Sequence, residues 1–325
     1  MPVYSGTNCI TKALLIVIVF CVMTTLVELK STGQVTGGRS KLAFTANQDG
    51  GYEFDTGILR GRLREAGKCL GLTSVVHVSS GTTLNGVYGI LSYYRVFTTN
   101  KRYGTAAWSW PSTSKLLPDG AVQVTWPEGD DRPFEMVAIY RFHDSSTLDV
   151  ETTVKANEDL SKFEVFLASY FHESFPLPQV FVTPDPKIVG KRTFMTAKKT
   201  FGNWQMFPRN YDLLSIIQDG RWEIQPNPVD WKIMPPMAKP IAVRRGSKEA
   251  PTAILMAPQE DCFAISTPYE GEGHYSLYFS LFGRDIEAGQ TATARLRLVV
   301  TNVASNREIL KLYQKYIKEI EDGTI

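Results

Sequence analysis

Hydrophobic and polar residues alternate with a period of two across residues 133–173. The alternation covers three runs, 134–142, 148–155 and 163–171, and residues rich in Asp, Asn and Ser separate them. Such alternation is typical of β-strands that bury one face, and the intervening residues favour turns. The pattern therefore predicts an antiparallel meander of three strands at the centre of the chain.

Shorter strand-like runs precede and follow this meander, and we find no repeated strand–helix–strand pattern that would indicate a parallel sheet. A single amphipathic helix is predicted near the C-terminus, where apolar residues recur every three or four positions over 306–321 and Ser305 and Asn306 can cap the start. The predicted fold class is all-β, with two large, mostly antiparallel sheets packed face to face and the C-terminal helix packed across them.

The N-terminal region contains an almost unbroken apolar run at residues 13–27, which ends at Glu28 and Lys30. This run fits the apolar core of a signal peptide and is shorter than the roughly 18–20 residues of a membrane-spanning helix. Export to the periplasm, the cell envelope or the medium is predicted, and two alternatives stay open: a cleaved signal, or an anchor that attaches the protein to the membrane through residues 13–27. The expected organisation is a signal or anchor (1–30), a Gly- and Ser-rich linker (31–51), a β domain (52–301) and a C-terminal helix (302–325).

Composition excludes several classes of function. The chain of 325 residues is 43% hydrophobic with a net charge of +2, which is globular and gives no bias towards nucleic acid, so no nucleic-acid partner is predicted. Nucleotide-binding glycine loops, a GxSxG elbow and HExxH are missing, and no cofactor is predicted. Cys69 and Cys262 lack the spacing of a zinc site, so no metal is predicted; they either pair in an oxidising compartment or are buried as small apolar residues.

The histidines provide candidates for acid–base catalysis. His77, His172 and His274 lie at or beside the ends of predicted strands, and Glu270 precedes His274 in an acidic, Gly-containing loop. Strand ends on one rim of a sheet can converge, and imidazole titrates near neutral pH, so these residues are the candidate catalytic groups. The alternative is that they are unrelated surface or structural histidines.

A second group of candidates is aromatic and polar. Trp108 and Trp110 lie in a polar loop, and tryptophan rings can stack on the C–H face of a sugar. Arg95, Arg102 and Asp212 are the polar side chains nearest in sequence to such aromatic residues, and they are the candidate partners for sugar hydroxyls. The alternative is that the aromatic residues fill the core of a large sandwich.

Two stretches resemble the galactose mutarotase-like family. Residues 166–171 (FLASYF) are similar to the Ser-Tyr-Phe part of the family's Asn-His-Ser-Tyr-Phe-Asn motif, and residues 275–300 (YSLYFSLFGRDIEAGQTATARLRLVV) are similar to its closing strands. The resemblance implies a β-supersandwich of two large antiparallel sheets that binds sugars in a groove on one of them. The chain departs from the motif at the family's catalytic histidine, where Ala168 stands, and a histidine follows only at His172.

The resemblance implies a divergent member of this family that binds a mono- or oligosaccharide. Any catalysis is expected to be acid–base chemistry on a sugar, either epimerisation or elimination. The alternative function is a non-catalytic structural or protein-interaction protein of the cell envelope.

Overall fold

The fold is described from a computed structural model, for residues 42–65, 68–247, 250–302 and 305–325. The predicted signal or anchor and most of the predicted linker lie outside the described residues. Within the described ranges, none of the helices combines the length and the apolar character needed to span a bilayer.

The chain is mostly β, as the alternation predicts. The described strands are β1 (Thr45–Ala46), β2 (Tyr52–Asp55), β3 (Leu59–Leu63), β4 (Leu72–His77), β5 (Thr82–Thr83), β6 (Ser92–Thr98), β7 (Lys101–Arg102), β8 (Thr113–Leu116), β9 (Val122–Trp126), β10 (Phe134–Asp144), β11 (Thr147–Ala156), β12 (Leu160–Tyr170), β13 (Leu177–Val182), β14 (Thr193–Thr196), β15 (Trp204–Pro208), β16 (Lys232–Ile233), β17 (Met237–Arg245), β18 (Thr252–Met256), β19 (Cys262–Pro268), β20 (Ser276–Ile286) and β21 (Thr291–Thr301). Among the described residues the α-helices are α1 (Leu214–Ile217) and α2 (Asn306–Glu321), and short 3₁₀ turns lie at Ala107–Ser109, Lys199–Phe201, Tyr211–Leu213 and Arg221–Glu223.

In the described part of the chain these strands form three sheets. One has nine strands in the order β14-β13-β17-β18-β21-β11-β10-β9-β8, and a second has seven in the order β16-β15-β19-β20-β12-β6-β7. The third is a five-stranded sheet, β1 to β5 in sequence order. Strand pairing in the two large sheets is antiparallel except between β15 and β16.

The predicted central meander is correct for two strands and wrong for the third. β10 and β11 pair from Phe134↔Ala156 onwards, but β11 then pairs with β21, and β12 pairs with β20 and β6 in the other large sheet. The burial patterns explain the difference. β11 has a half-exposed polar face, whereas nearly every residue of β12 from Phe163 onwards is buried, so both faces of β12 need covering.

The two large sheets share one core. Val150 of β11 and Val165 and Leu167 of β12 belong to the same cluster of buried side chains. Cys69 and Cys262 are also buried in this core and are not bonded to each other, so the second of the two cysteine alternatives is correct. Burial raises the pKa of the Cys69 thiol to about 11, which keeps it protonated and unreactive at neutral pH.

The five-stranded sheet begins within the segment predicted as a linker. Phe44 there is buried, with its ring centroid 5.0 Å from that of Phe142 on β10 and 5.6 Å from that of Phe54 on β2. Residues 42–51 therefore contribute to the packed domain.

The helix α2 has the bounds that its apolar spacing predicts, and Ser305 accepts a hydrogen bond from the Glu308 amide as its cap. Its buried residues Ile309, Tyr313 and Tyr316 pack on side chains of the nine-stranded sheet, among them Ile254 and Val299. The last turn is fixed by Arg297 of β21, which donates to Glu319 at 2.6 Å and to both carboxylate oxygens of Asp149 at 2.7 and 2.8 Å.

This contact predicts an acid-sensitive attachment of α2. Burial opposes ionisation of Glu319, but the hydrogen bond and charge of Arg297 outweigh it, so the pKa of Glu319 is lower in the fold than its ordinary value of 4.5. The carboxylate therefore stabilises the fold above pH 4.5, and this contribution is lost as the pH falls through the lower pKa. We expect Glu319→Gln to reduce the free energy of unfolding at pH 7 by about 1 kcal/mol and to have little effect at pH 3. Urea titration at both pH values measures this, with exposed Glu321→Gln as the control; an equal loss at both pH values would contradict it.

Candidate functional site

A cavity of about 470 Å³ lies on the outer face of the seven-stranded sheet. The residues that line it come from four strands and several loops: Tyr88, Tyr94, Arg95, Thr105, Trp108, Phe166, Tyr170, Trp204, Trp222, Asn227, Pro228, Val229, Trp231, His274 and Tyr278. The alternation of side chains along β12 explains why its residues Phe166 and Tyr170 line the cavity. Because Phe163, Val165 and Leu167 of β12 point into the main core, Phe166 and Tyr170 point to the opposite face. The cavity is therefore built on the second buried face of β12.

Register brings the polar and aromatic groups of neighbouring strands together on that face. Arg95 of β6 lies opposite Phe166, and Tyr278 of β20 lies opposite Ala168. Residues directly opposite each other in an antiparallel pair share a face, so Arg95 and Tyr278 lie on the same side as Phe166. The Phe166 and Tyr278 rings are stacked with centroids 4.6 Å apart.

Aromatic rings cover the walls of the cavity. Trp108 stacks on Tyr94, with centroids 4.6 Å apart and an interplanar angle of 10°, and it is also stacked with Tyr88, at 5.6 Å. The half-buried rings of Trp204 and Trp231 meet edge to face at 6.0 Å. Flat apolar surfaces with a few polar groups between them are typical of small-molecule sites, and the volume lies in the roughly 300–1,000 Å³ range of such sites.

A buried ion-pair network holds the segment that carries Trp222. Arg221 is fully buried and donates to Glu164 of β12 and to Asp219, both at 2.8 Å. The next residue, Trp222, packs edge to face on Phe166 with ring centroids 4.8 Å apart. The network therefore ties this part of the cavity wall to the sheet beneath it.

Two arginines lie together at one end of the cavity. Arg95 is 3% exposed, and its Nη2 donates to the Asn227 carbonyl at 2.7 Å and to the Tyr94 hydroxyl at 3.3 Å. Arg102 donates to the carbonyls of Pro226 and Thr105. Burial, followed by the positive charge of Arg95, lowers the pKa of Arg102 from its ordinary value. The two guanidinium groups are therefore close enough to repel each other, and both donate hydrogen bonds to main-chain carbonyls of the loop at residues 226–227.

A histidine, a carboxylate and a phenol lie together at the cavity as well. His274 Nδ1 is 2.6 Å from Glu272 Oε1, and the His274 ring is 6.4 Å from the ring of Tyr170. Burial raises the pKa of Tyr278 to about 12 and raises that of Tyr170 further. Both phenols therefore stay protonated at neutral pH and can donate a hydrogen bond.

The structure brings some of the predicted site residues together. Arg95, Trp108 and His274 line the cavity, and Arg102 lies beside Arg95. Trp222 is buried and Trp231 is half-buried in the cluster of side chains on this face of the sheet, and both also line the cavity.

The other predicted residues do not line this cavity. His77 is on β4 of the five-stranded sheet and bonds Ser80, while His172 lies beyond the end of β12 and bonds Ser174. Trp110 is 8% exposed and belongs to the main core, with Arg132 stacked on its ring. The remaining two are Glu270, whose amide bonds Ala197, and the exposed Asp212 of a 3₁₀ turn. The three histidines therefore do not converge on this cavity: His77 lies on the five-stranded sheet, and of His172 and His274, which flank the paired strands β12 and β20, only His274 lines it.

Sequence reasoning missed Tyr170, Tyr278 and Asn227. The signal available for Tyr170 is the second face of β12, where Phe166, Ala168 and Tyr170 are apolar although a strand with one solvent-facing side would carry polar residues. No group of three or more His, Cys, Asp and Glu side chains suited to a metal ion is found in the described parts of the chain.

No protein-family profile and no curated protein matches the chain. Among solved structures, it is similar to a putative aldose 1-epimerase from Escherichia coli K12, at 12% identity and a TM-score of 0.40 over 77% of this chain and 98% of that one. It is also similar to a heparan sulfate lyase HepC mutant from Pedobacter heparinus (9% identity, TM-score 0.46, 81% of this chain and 37% of that one). A third is the alpha-N-acetylgalactosaminidase NagBb from Bifidobacterium bifidum (11% identity, TM-score 0.46, 84% and 38%).

Putative aldose 1-epimerases are thus among the structures to which the chain is similar, in agreement with the family that its sequence resembles. The chain spans less than two fifths of the lyase and of the galactosaminidase.

Proposed function

We propose that this chain is a β-supersandwich protein that binds a saccharide in the aromatic cavity of its seven-stranded sheet. The observation that supports this proposal is the combination of tryptophan and tyrosine rings with Arg95 around one open volume. The C–H faces of a sugar ring pack on aromatic rings, and its hydroxyls need a small number of placed hydrogen-bonding groups.

The cavity offers such groups. Arg95 and the Tyr170 hydroxyl can donate at neutral pH, and the Asn227 carboxamide is a further lining group that can donate and accept. Buried polar groups of this kind discriminate strongly between ligands, since a ligand that does not pair them leaves them unsatisfied. We therefore propose binding of a specific saccharide.

A second candidate function is acid–base chemistry on the bound sugar. It is favoured by the His274–Glu272 pair beside Tyr170, because a histidine held by a carboxylate can accept or donate a proton near neutral pH. Epimerisation at the anomeric carbon and elimination are the reaction types that this pair would serve. We expect His274→Ala to abolish turnover of the sugar identified by binding while leaving its affinity within a few-fold, measured by NMR of the sugar.

Export is also part of the proposal, based on the apolar run at residues 13–27. We expect the full chain to be found outside the cytoplasm, either shortened near residue 30 or intact and attached to membranes. Mass spectrometry of the N-terminus from membrane and soluble fractions distinguishes the two. Intact chain confined to the cytoplasm would contradict export.

The binding proposal predicts a loss of affinity when a cavity ring is removed. We expect a saccharide at about 100 times its Kd to raise the free energy of unfolding by about 2.7 kcal/mol, visible as a thermal shift. Trp108→Ala is expected to weaken that saccharide about tenfold, because its ring lines the cavity and its loss removes apolar contact surface together with the stacking partner of Tyr94. Titration followed by tryptophan fluorescence gives the affinities.

The matched control is Tyr211→Ala, which removes an aromatic side chain that is 52% exposed and does not line the cavity. It should bind like the wild type. If no saccharide in a panel of neutral, acidic and sulfated sugars changes the unfolding of the folded protein, the proposed function is wrong and the structural or protein-interaction alternative is favoured.

A further inference from the structure

The chemistry of Arg95 points to the kind of saccharide that the cavity takes. Its guanidinium is 3% exposed and lines the cavity, yet Nε and Nη1 have no hydrogen-bond acceptor among the described residues. Buried donors without an acceptor cost free energy, and a buried cation costs more. A ligand that supplied an acceptor here would remove both costs.

The environment of Arg95 lacks a counter-charge. Of the ion pairs found within the described residues, none includes Arg95 or Arg102. Their acceptors are hydroxyl and main-chain carbonyl oxygens, which carry no net charge. The second guanidinium increases the local positive charge instead of balancing it.

Other buried arginines of this chain show the contrast. Arg221 is paired with Glu164 and Asp219, and Arg297 with Asp149 and Glu319. Arg244 has no carboxylate partner, but both of its terminal nitrogens donate to carbonyl or hydroxyl oxygens, and it does not line the cavity. Arg95 alone of these four combines an unpaired terminal nitrogen with an open cavity.

The guanidinium of Arg95 is also held in a fixed position. It lies 4.9 Å from the ring centroid of Tyr94 and 5.4 Å from that of Trp222, between aromatic side chains. A guanidinium held in this way presents a fixed positive charge to the carboxylate or sulfate of a ligand, and a preorganised cation loses little entropy on binding.

We propose that the cavity binds an acidic saccharide, whose carboxylate or sulfate pairs with the positive charge of the Arg95 guanidinium, next to Arg102. This inference rests on the proposed saccharide-binding function and specifies its ligand class. The aromatic walls contact the sugar rings, and the arginine end recognises the anionic substituent.

The test compares charged and uncharged forms of the same sugars on the full chain. The probes are trimers of glucuronate, galacturonate and mannuronate, their carboxyl-reduced counterparts, and sulfated galactose trimers beside unsulfated ones. We expect at least one anionic probe to bind about tenfold or more tightly than its neutral counterpart, with a preference that decreases as salt is raised. The sulfated and carboxylated arms show which anion is recognised.

Variants then assign the preference to Arg95. Arg95→Gln and Arg102→Gln should lose the preference for the charged form, while Arg284→Gln, which removes an exposed arginine of β20 outside the cavity, should retain it. The comparison of charged and neutral probes is made on the wild type. The preference for the anionic form can therefore be tested even if Arg95→Gln does not fold.

The outcomes separate this inference from the function on which it rests. Neutral trimers that bind as tightly as their charged forms would overturn the acidic-saccharide inference and leave saccharide binding in place. Binding of no probe, charged or neutral, would overturn the proposed function itself. An anionic preference that persists in both Arg95→Gln and Arg102→Gln would overturn the assignment to this end of the cavity.

Discussion

Replacing Arg221 by methionine is expected to lower the free energy of unfolding by about 3–5 kcal/mol. The side chain is fully buried, and its loss would leave Glu164 and Asp219 as buried carboxylates without their cation. It would also remove the hydrogen bond from Nη2 to the Lys162 carbonyl, at 3.1 Å. Urea denaturation of the full chain at pH 7 measures the loss.

Two further variants show whether the effect comes from the uncompensated charge. Arg221→Met combined with Glu164→Leu should be less destabilised than Arg221→Met alone, because one of the two stranded carboxylates is removed. Arg284→Gln, at an exposed arginine, should change stability by less than about 0.5 kcal/mol. A loss below about 1 kcal/mol for Arg221→Met would contradict the buried network.

The same variant should weaken ligand binding in the cavity. Trp222 follows Arg221 directly, is 4% exposed, and packs on Phe97 and Phe166 with ring centroids 5.0 and 4.8 Å away. It also supports the Arg95 guanidinium. A shift of the segment at Arg221 would therefore move both a wall of the cavity and its cation, although Arg221 itself does not line the cavity.

Period-two alternation was sufficient to predict the mostly β fold and the β10–β11 hairpin. It was insufficient for sheet membership, as β12 shows: the two faces of a strand are visible in the sequence, but the strands that pair with it are not. Pairing of β12 with β20 joins residues more than a hundred positions apart, such as Leu167 and Phe279. Such long-range register is set by packing of the whole domain, which a local pattern does not contain.

Only part of the candidate site could be predicted, because it too depends on which strands pair. Trp108, Arg95 and His274 stand out locally, through an aromatic loop, a charge inside an apolar strand, and an acidic turn. Trp110, two residues from Trp108, has the same local signal and is buried in the main core instead. Only the sheet order decides which aromatic residues line a cavity and which fill the interior.

Replacing Asp261 is also expected to have a large effect on stability, but it should raise the free energy of unfolding, whereas Arg221→Met lowers it. It precedes β19 of the seven-stranded sheet, is 5% exposed, and accepts a hydrogen bond at 2.8 Å from the amide of Arg295 on β21 of the nine-stranded sheet. Burial raises the pKa of this carboxyl from 3.8 to about 6. The bond joins the two large sheets, while the ionised form of the side chain is disfavoured there.

The pKa shift sets the direction of the pH dependence. Between pH 3.8 and about 6 the native state holds a proton on Asp261 that the unfolded state releases, so stability falls as the pH rises through this window. Above pH 6, ionisation of the buried Asp261 carboxyl lowers the free energy of unfolding by (6 − 3.8) × 1.36, or about 3 kcal/mol.

We therefore expect Asp261→Asn to raise the free energy of unfolding at pH 7.5 by up to about 3 kcal/mol, because the amide oxygen can still accept from Arg295 and no charge is buried. At pH 3.5, below both pKa values, the variant and the wild type should differ in stability by less than about 0.5 kcal/mol. Urea titrations across pH 3.5–7.5 measure this, with exposed Asp130→Asn as the control without such a window. Destabilisation by Asp261→Asn at pH 7.5 would instead show that the ionised carboxylate strengthens the link between the sheets by more than its burial costs.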